Sequence, residues 1–286
     1  MNAISASESL HACLENVRRL DHDRFLTLIF APAAKRARLI ALYAFNAEIA
    51  RVREAVSEPM LGQIRLQWWR EAIEAIGRGE AAGHEAAIAL GESFTAAELH
   101  GDKLVALIDA RERDLEDEPL VDMDALEAYA DATSATLMLL AGFALAGPRA
   151  AKALAAIRPA GIAYALTGLM RALPLHASQG RLYLPLDLMR AHEIDPHRIF
   201  AGEMSEGLRA AMKEITGRAR AHLGEARRHA ALVDRALLPA LLPAALCDRY
   251  LSIMEAADFD AFHHSTEVPA LVHQSRLAAR KLLGRF

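Results

Sequence analysis

No stretch of this chain alternates apolar and polar residues for long enough to build a sheet, which confines the sequence to helices. Ala, Leu, Arg and Glu recur throughout, and apolar residues fall three and four apart, as in Leu39, Leu42, Tyr43, Ile49 and Val52. The spacing predicts helices at about 5–20, 33–55, 61–76, 85–117, 124–146, 149–173, 186–192, 204–233, 236–257 and 267–283. Pro32 stands where a helix start tolerates proline. Asp124 with Glu127 reads as an acidic capping box. Pro174, Gly180 and Pro185 punctuate one loop. No repeat of solenoid length recurs, and no Pro/Gly/Ser-rich linker interrupts the pattern. With 286 residues, 53% of them hydrophobic, the expectation is one all-α domain over 1–286, a large helical bundle around a central apolar cavity.

Composition removes several function classes. A net charge of −4 gives no basic field to displace counterions from nucleic acid, so no nucleic-acid partner is expected. Cys13 and Cys247 sit in apolar helical contexts without a CxxC partner, which argues against a disulfide framework or zinc site. The segment MNAISASESLHACLENVRRLDHDR lacks the order of a signal peptide, and its acids argue against a transit peptide, so a cytoplasmic protein is expected. The uncharged stretches Ala132 to Pro148 and Ala236 to Cys247 fall short of the roughly 18 apolar residues of a membrane span, and both read as core helices. No GxGxxG, P-loop, HExxH or GxSxG element is present, leaving nucleotide-binding and hydrolase readings without support.

Two segments carry more information. Phe30 to Ile73, FAPAAKRARLIALYAFNAEIARVREAVSEPMLGQIRLQWWREAI, and Ala160 to Pro185, AGIAYALTGLMRALPLHASQGRLYLP, resemble the squalene/phytoene synthases. That resemblance implies an isoprenoid synthase fold, in which two aspartate-rich helix segments hold magnesium against allylic diphosphates during head-to-head prenyl transfer. The family frame AFCRxxDDxxD falls on Ala44 to Glu54, so that Ala50 and Arg51 occupy the adjacent aspartate positions and Glu54 keeps the last acid. An arginine there repels a divalent ion. Glu48 and Glu54 lie roughly 240° apart around a helix and cannot jointly replace the lost pair. The frame LTNILRDVxxD falls on Leu166 to His176, with Ala172 and His176 at the aspartate positions, and GRxYLP follows with Arg181, Tyr183, Leu184 and Pro185 in place. Pro174 is expected to break the turn that sets residues 172 and 176 on one face. No catalytic residue, metal site or cofactor is therefore expected; magnesium enters only if a divergent prenyl transferase survives on Glu48, Glu54 and further acids.

The stretch from Asn46 to Ile73 closely resembles the branch of the family that assembles mitochondrial respiratory complex I and lacks the full aspartate motifs. That resemblance implies complex I subunits or assembly intermediates as partners, at the inner face of a membrane with peripheral contact. The residues leave two other readings open, a prenyl transferase and an isoprenoid or lipid carrier. Lys35, Arg36, Arg51, Arg53, Arg171 and Arg181, with Tyr183, are candidates for an anion or diphosphate site, or else ordinary ion-paired surface. Phe45, Tyr129, Thr133, Phe143, Tyr164 and Met170 are candidates for lining an apolar cavity, or else core. The acidic run DARERDLEDEP from Asp109 reads as a charged helix end. His263 and His264, adjacent, make a poor metal pair, and His192 and His197 flank a loop. In Trp68 and Trp69 one indole is expected in the core and the other at the surface.

Overall fold

The computed structural model describes residues 6–80, 83–95 and 98–286, and among them there is no strand. The helices are α1 (Ala6–Leu20), α2 (His22–Thr27), α3 (Ala33–Ala50), α4 (Pro59–Gly77), α5 (Glu85–Ser93), α6 (Gly101–Ala110), α7 (Met123–Ala130) and α8 (Thr136–Ala146). They continue with α9 (Leu154–Arg171), α10 (Leu173–Ser178), α11 (Leu186–Ala191), α12 (Pro196–Phe200), α13 (Glu206–Arg228), α14 (Leu238–Leu241), α15 (Ala244–Ala256) and α16 (Ala270–Leu282). The chain divides into two compact units interleaved in sequence. The first comprises Met1–Glu116, Thr136–Leu154 and Asp234–Ala240; the second comprises Asp117–Ala135, Ala155–Val233 and Leu241–Phe286.

In the first unit α3 is the central helix. It packs against α1, α5 and α8 and buries Leu39, Leu42, Tyr43, Phe45 and Ile49. A helix apolar on nearly all sides is stable only when surrounded, and α8, TLMLLAGFALA, follows the same rule. The helix expected over 85–117 is broken. Phe94 takes an extended backbone, the Thr95 N–H and hydroxyl both donate to the Glu98 carboxylate, and His100 turns left-handed before α6 starts. Side-chain bonding at Thr95 and Glu98 competes with the helical ladder, a local effect that apolar periodicity does not register.

In the second unit α13, α15 and α16 pack in sequence, and Asp248 on α15 ties them by accepting from Arg227 at 2.7 Å and Arg280 at 2.9 Å. Helix α7 is capped by Asp122, whose carboxylate accepts from the Ala125 N–H at 2.8 Å, two residues before the expected cap at Asp124. Glu127 is taken instead by Arg218 and His222. Between α7 and α8 a π-turn spans Asp131–Ala135, with the Thr133 hydroxyl donating to the Tyr129 carbonyl at 2.7 Å. Gly161 on α9 crosses that turn so closely that an added Cβ would stand 2.3 Å from the Ala135 Cα. The helical run 123–171 contains an 18-residue window with mean hydropathy 1.3, long and apolar enough to cross a membrane, and 67% of that window is buried within the protein. Burial of this kind is what a core helix shows.

Candidate functional site

The second family segment runs from the end of α9 into α10. The Ala172 N–H donates to the Gly168 carbonyl and the His176 N–H to the Ala172 carbonyl, both at 2.9 Å. Residues 172 and 176 therefore stand one helical turn apart on one face. The helix does break ahead of Pro174: α9 ends at Arg171, Ala172 is the N-cap of α10, and Pro174 falls in the first turn of α10, where no amide donor is needed, so the turn from 172 to 176 still closes. Gly180, at φ 68°, closes α10 with the Arg181 N–H returning to the His176 carbonyl at 2.8 Å and its own N–H to Ala177 at 3.0 Å. That double closure requires a left-handed residue, which glycine supplies without strain. It carries Arg181 and Tyr183 back onto His176.

The result is a compact cluster. The rings of His176 and Tyr183 lie 4.8 Å apart, Tyr129 lies 5.7 Å from Tyr183, and the Arg181 guanidinium sits 5.4 Å from the Tyr183 ring while donating to its hydroxyl. Arg181, Tyr183 and Tyr129 are thus brought together, around one of the two former aspartate positions. Arg171 goes elsewhere, its guanidinium 3.4 Å from the centroid of the Tyr250 ring. These groups present hydrogen-bond donors and aromatic faces and no carboxylate, a set suited to anions and unsuited to magnesium.

The first family segment lacks the aspartates and runs across a helix end. Helix α3 ends at Ala50, Arg51 is its C-cap at φ −107°, and Arg53–Ala55 form a 3-10 turn. The Arg51 guanidinium donates to the Glu54 carboxylate at 2.8 Å, so the arginine at an aspartate position neutralises the one acid the frame retains. Glu48 is engaged on a different side, accepting from Asn16 at 2.7 Å with the His84 Nε2 at 3.8 Å. Arg36 spends its guanidinium on the Leu28, Ile29 and Ala31 carbonyls, which fixes the turn before α3. Lys35 is half-buried on the first turn of α3, and Arg53 lies in the 3-10 turn after it. Among the described residues no group of three His, Cys, Asp or Glu side chains could hold a metal ion. Neither segment fits the family's magnesium.

The cavity candidates divide between the units. Phe45 is core, packed edge-on to Trp69 at 5.2 Å, and Phe143 stacks on His100 at 4.2 Å. In the second unit, Tyr129 and Thr133 are buried at the π-turn and Tyr164 is half-buried on α9. Met170 lines a cavity of about 180 Å³ together with Arg171, Met212, Met254, Phe259 and His264. One wall of this cavity is a strained turn. Asp258 and Phe259 both take left-handed backbones, at φ 49° and 56°, and Arg209 holds them by donating to the Asp258 carbonyl and to Asp260. Two consecutive non-glycine residues in that region cost on the order of 1–2 kcal/mol each.

Other sequence candidates resolve into structural pairs. Asp109 and Glu112 both bind Arg70, Asp114 pairs with Arg111 and Glu116 with Arg113, so the acidic run is an ion-pair network. His263 caps onto Asp260 and His192 faces Glu214 at 3.6 Å. Burial, with Glu85 and Glu48 nearby, pushes the Cys13 thiol up to about 12, which keeps it a neutral core residue. Trp69 is 3% exposed and Trp68 39%, one indole in the core and one at the surface. Both lie against His84, a residue without a motif in the sequence, and with Arg65 and Gly83 they border a pocket of about 230 Å³. From Trp68 the outward face of α4 continues through Ile64, Leu61 and Met60, all exposed.

A helical fold, two helix segments in the places of the prenyl-synthase motifs and the intact GRLYLP loop define an isoprenoid-synthase type of protein. The squalene/phytoene synthase model matches residues 17–276, and the chain belongs to that family. It is similar to complex I assembly factor 6 of Homo sapiens, 30% identical over 257 residues, covering 90% of this chain and 77% of that protein. Its fold is similar to a dehydrosqualene synthase solved with ligand, at TM-score 0.79 and 16% identity with 97% of each chain covered. A squalene synthase from Alicyclobacillus acidocaldarius matches at TM-score 0.69 and 18% identity, over 100% of this chain and 98% of the other.

Proposed function

We propose that this protein acts in the assembly of respiratory complex I and that magnesium-dependent prenyl transfer is lost from it. The observation that carries the reading is the Arg51–Glu54 ion pair. It places a cation at a metal-ligand position and occupies the remaining acid, inside flanking sequence that still reads as the family's. The kinship with complex I assembly factor 6 over most of the chain supports the same reading and points to complex I subunits or assembly intermediates as partners. The exposed apolar stripe on α4, rich in the Trp and Met that protein interfaces favour, is the surface most consistent with a protein partner. The cavity beside Met170 by itself, about 180 Å³, is below the roughly 300–1,000 Å³ of ordinary small-molecule sites, so it gives the isoprenoid-carrier reading no support.

The test is removal of the gene from its host, followed by NADH:ubiquinone oxidoreductase activity and native electrophoresis of the membranes. Loss of activity together with accumulation of smaller assembly intermediates is expected, with recovery when the wild-type chain is supplied. A deletion strain with normal amounts of active complex I would overturn the proposal.

A further inference from the structure

Arg65 stands inside an apolar stripe and has no acid to pair with. Met60, Ile64 and Trp68 follow one another at four-residue steps over roughly 12 Å of the outer face of α4, with Leu61 beside them, and the first two are 68% and 59% exposed. Arg65 leaves the helix one turn after Leu61 and one turn before Trp68. Among the described residues it has no ion-pair partner, whereas Arg70 on the same helix is shared by Asp109 and Glu112. The inner face of α4 is held by Leu66, Trp69 and Ile73, all buried, so the outer face is presented on a fixed helix.

Next to the arginine is a socket. The rings of Trp68, Trp69 and His84 meet edge-on with centres 5.0 to 5.9 Å apart, and with Arg65 and Gly83 they border the pocket of about 230 Å³. The His84 Nδ1 accepts from the Ala86 N–H at 3.2 Å, which leaves the ring proton on Nε2, toward Glu48, and fixes this wall. The volume is below the roughly 300–1,000 Å³ of small-molecule sites. It suits one large apolar side chain, the kind of anchor that carries most of the energy of a protein interface.

The arginine says what the cover must bring. Covering the stripe takes the Arg65 guanidinium out of water, and a buried guanidinium without an acceptor is strongly unfavourable. The covering surface therefore needs a carboxylate set among apolar groups. An anionic bilayer would press its phosphates against Glu58, Glu71 and Glu74, exposed along the same helix and at its N-cap. A protein segment can place a single acid at Arg65 and leave those glutamates in water.

We infer that the outer face of α4 is the docking site for an acidic, apolar segment of a protein partner, which sets one large apolar side chain in the socket formed by Trp68, Trp69 and His84 and a carboxylate on Arg65. The inference rests on the assembly reading above and adds the chemistry of the partner's contact.

The experiment is complementation of the deletion strain with full-length variants, read as NADH:ubiquinone oxidoreductase activity of the membranes at equal amounts of the chain. Ile64→Asp and Arg65→Glu are expected to lower the recovered activity at least about fivefold, Arg65→Gln less and Arg65→Lys least. Leu232→Asp, exposed on the second unit, is expected to recover it fully. All three positions are exposed, so every purified variant is expected to keep the wild-type thermal melt. An arginine with a merely structural role would not rank its replacements by charge. A defective deletion strain that Ile64→Asp and Arg65→Glu both restore fully would overturn this inference and leave the assembly reading standing, whereas a deletion strain with normal complex I would overturn both. A wild-type dimer in sedimentation velocity that Arg65→Glu dissolves would overturn it by assigning the face to a second copy of the chain. Wild-type binding to phosphatidylglycerol vesicles that Ile64→Asp abolishes would overturn it in favour of lipid.

Discussion

The two family segments have parted from the catalytic pattern in different ways. At residues 44–54 the helix stops inside the motif, and Arg51 closes on Glu54, so both the scaffold and the charge are changed. At residues 166–185 the helix also stops inside the motif, at Arg171, but the turn from Ala172 to His176 is closed by a backbone hydrogen bond. The first position is sealed by an ion pair. The second gathers His176, Tyr183, Tyr129 and Arg181. Loss of a metal site thus takes two physical forms, and restoring carboxylates is expected to matter at only one of them.

The largest effect expected within these segments is at Trp69, which is buried between Phe45 and His84. Trp69→Ala is expected to cost about 3–5 kcal/mol in urea unfolding, and Trp68→Ala less than about 1 kcal/mol. Equal costs for the two would mean that the first segment is not organised around its core indole. In the second segment Gly161→Ala forces a Cβ onto the Ala135 backbone. A destabilisation of about 1–3 kcal/mol is expected, overpacking outweighing the helix propensity gained, and an unchanged midpoint would show that the crossing is loose.

Carboxylate restoration sharpens the comparison directly. Ala172→Asp with His176→Asp places two acids one hydrogen-bonded turn apart at the start of α10, and saturating magnesium is expected to stabilise that variant by about 1 kcal/mol in a thermal melt. Ala50→Asp with Arg51→Asp is expected to show no magnesium response, because α3 ends between the substituted positions. A response at the first segment and none at the second would reverse the account.

The smallest effect is electrostatic. In the first unit, hydrogen bonds from Arg38 and from Thr95 lower the Glu98 carboxyl from 4.5 to about 2. A depressed carboxylate pKa stabilises the fold above its unfolded value, and that contribution disappears as pH falls through the folded value. Stability is therefore expected to decline between pH 4.5 and about 2, with a shallower decline in Arg38→Ala, measured by thermal melts across that range. Asp248 in the second unit is depressed as well, burial being outweighed by Arg227, Arg280 and Arg276, and it contributes with the same sign.

What the sequence made legible follows from where the information is local. The family words were readable because their flanks survive, and the helical class followed from periodicity that the tertiary structure does not override. The helix boundary ahead of Pro174 was legible, since proline cannot donate to Met170, but the short helix that starts at Leu173 and takes the proline in its first turn was not. The break in 85–117 rests on a side-chain bond from Thr95 to Glu98, and the cap at Asp122 on a choice between two aspartates that spacing alone does not make. His84 is positioned by contacts with α4 residues, and Arg276 and Arg280 on α16 pair with Asp248 on α15. Such facts belong to pairs of elements distant in sequence, which a single helix's pattern does not encode.

The most direct test of the central claim is diphosphate release from farnesyl and geranylgeranyl diphosphate by the purified wild-type protein, with and without magnesium. No release above background under either condition is predicted, since the donor sets at both segments repel or ignore the ion. Magnesium-dependent release that falls in an Arg181→Ala variant would contradict the account and return the chain to the working synthases.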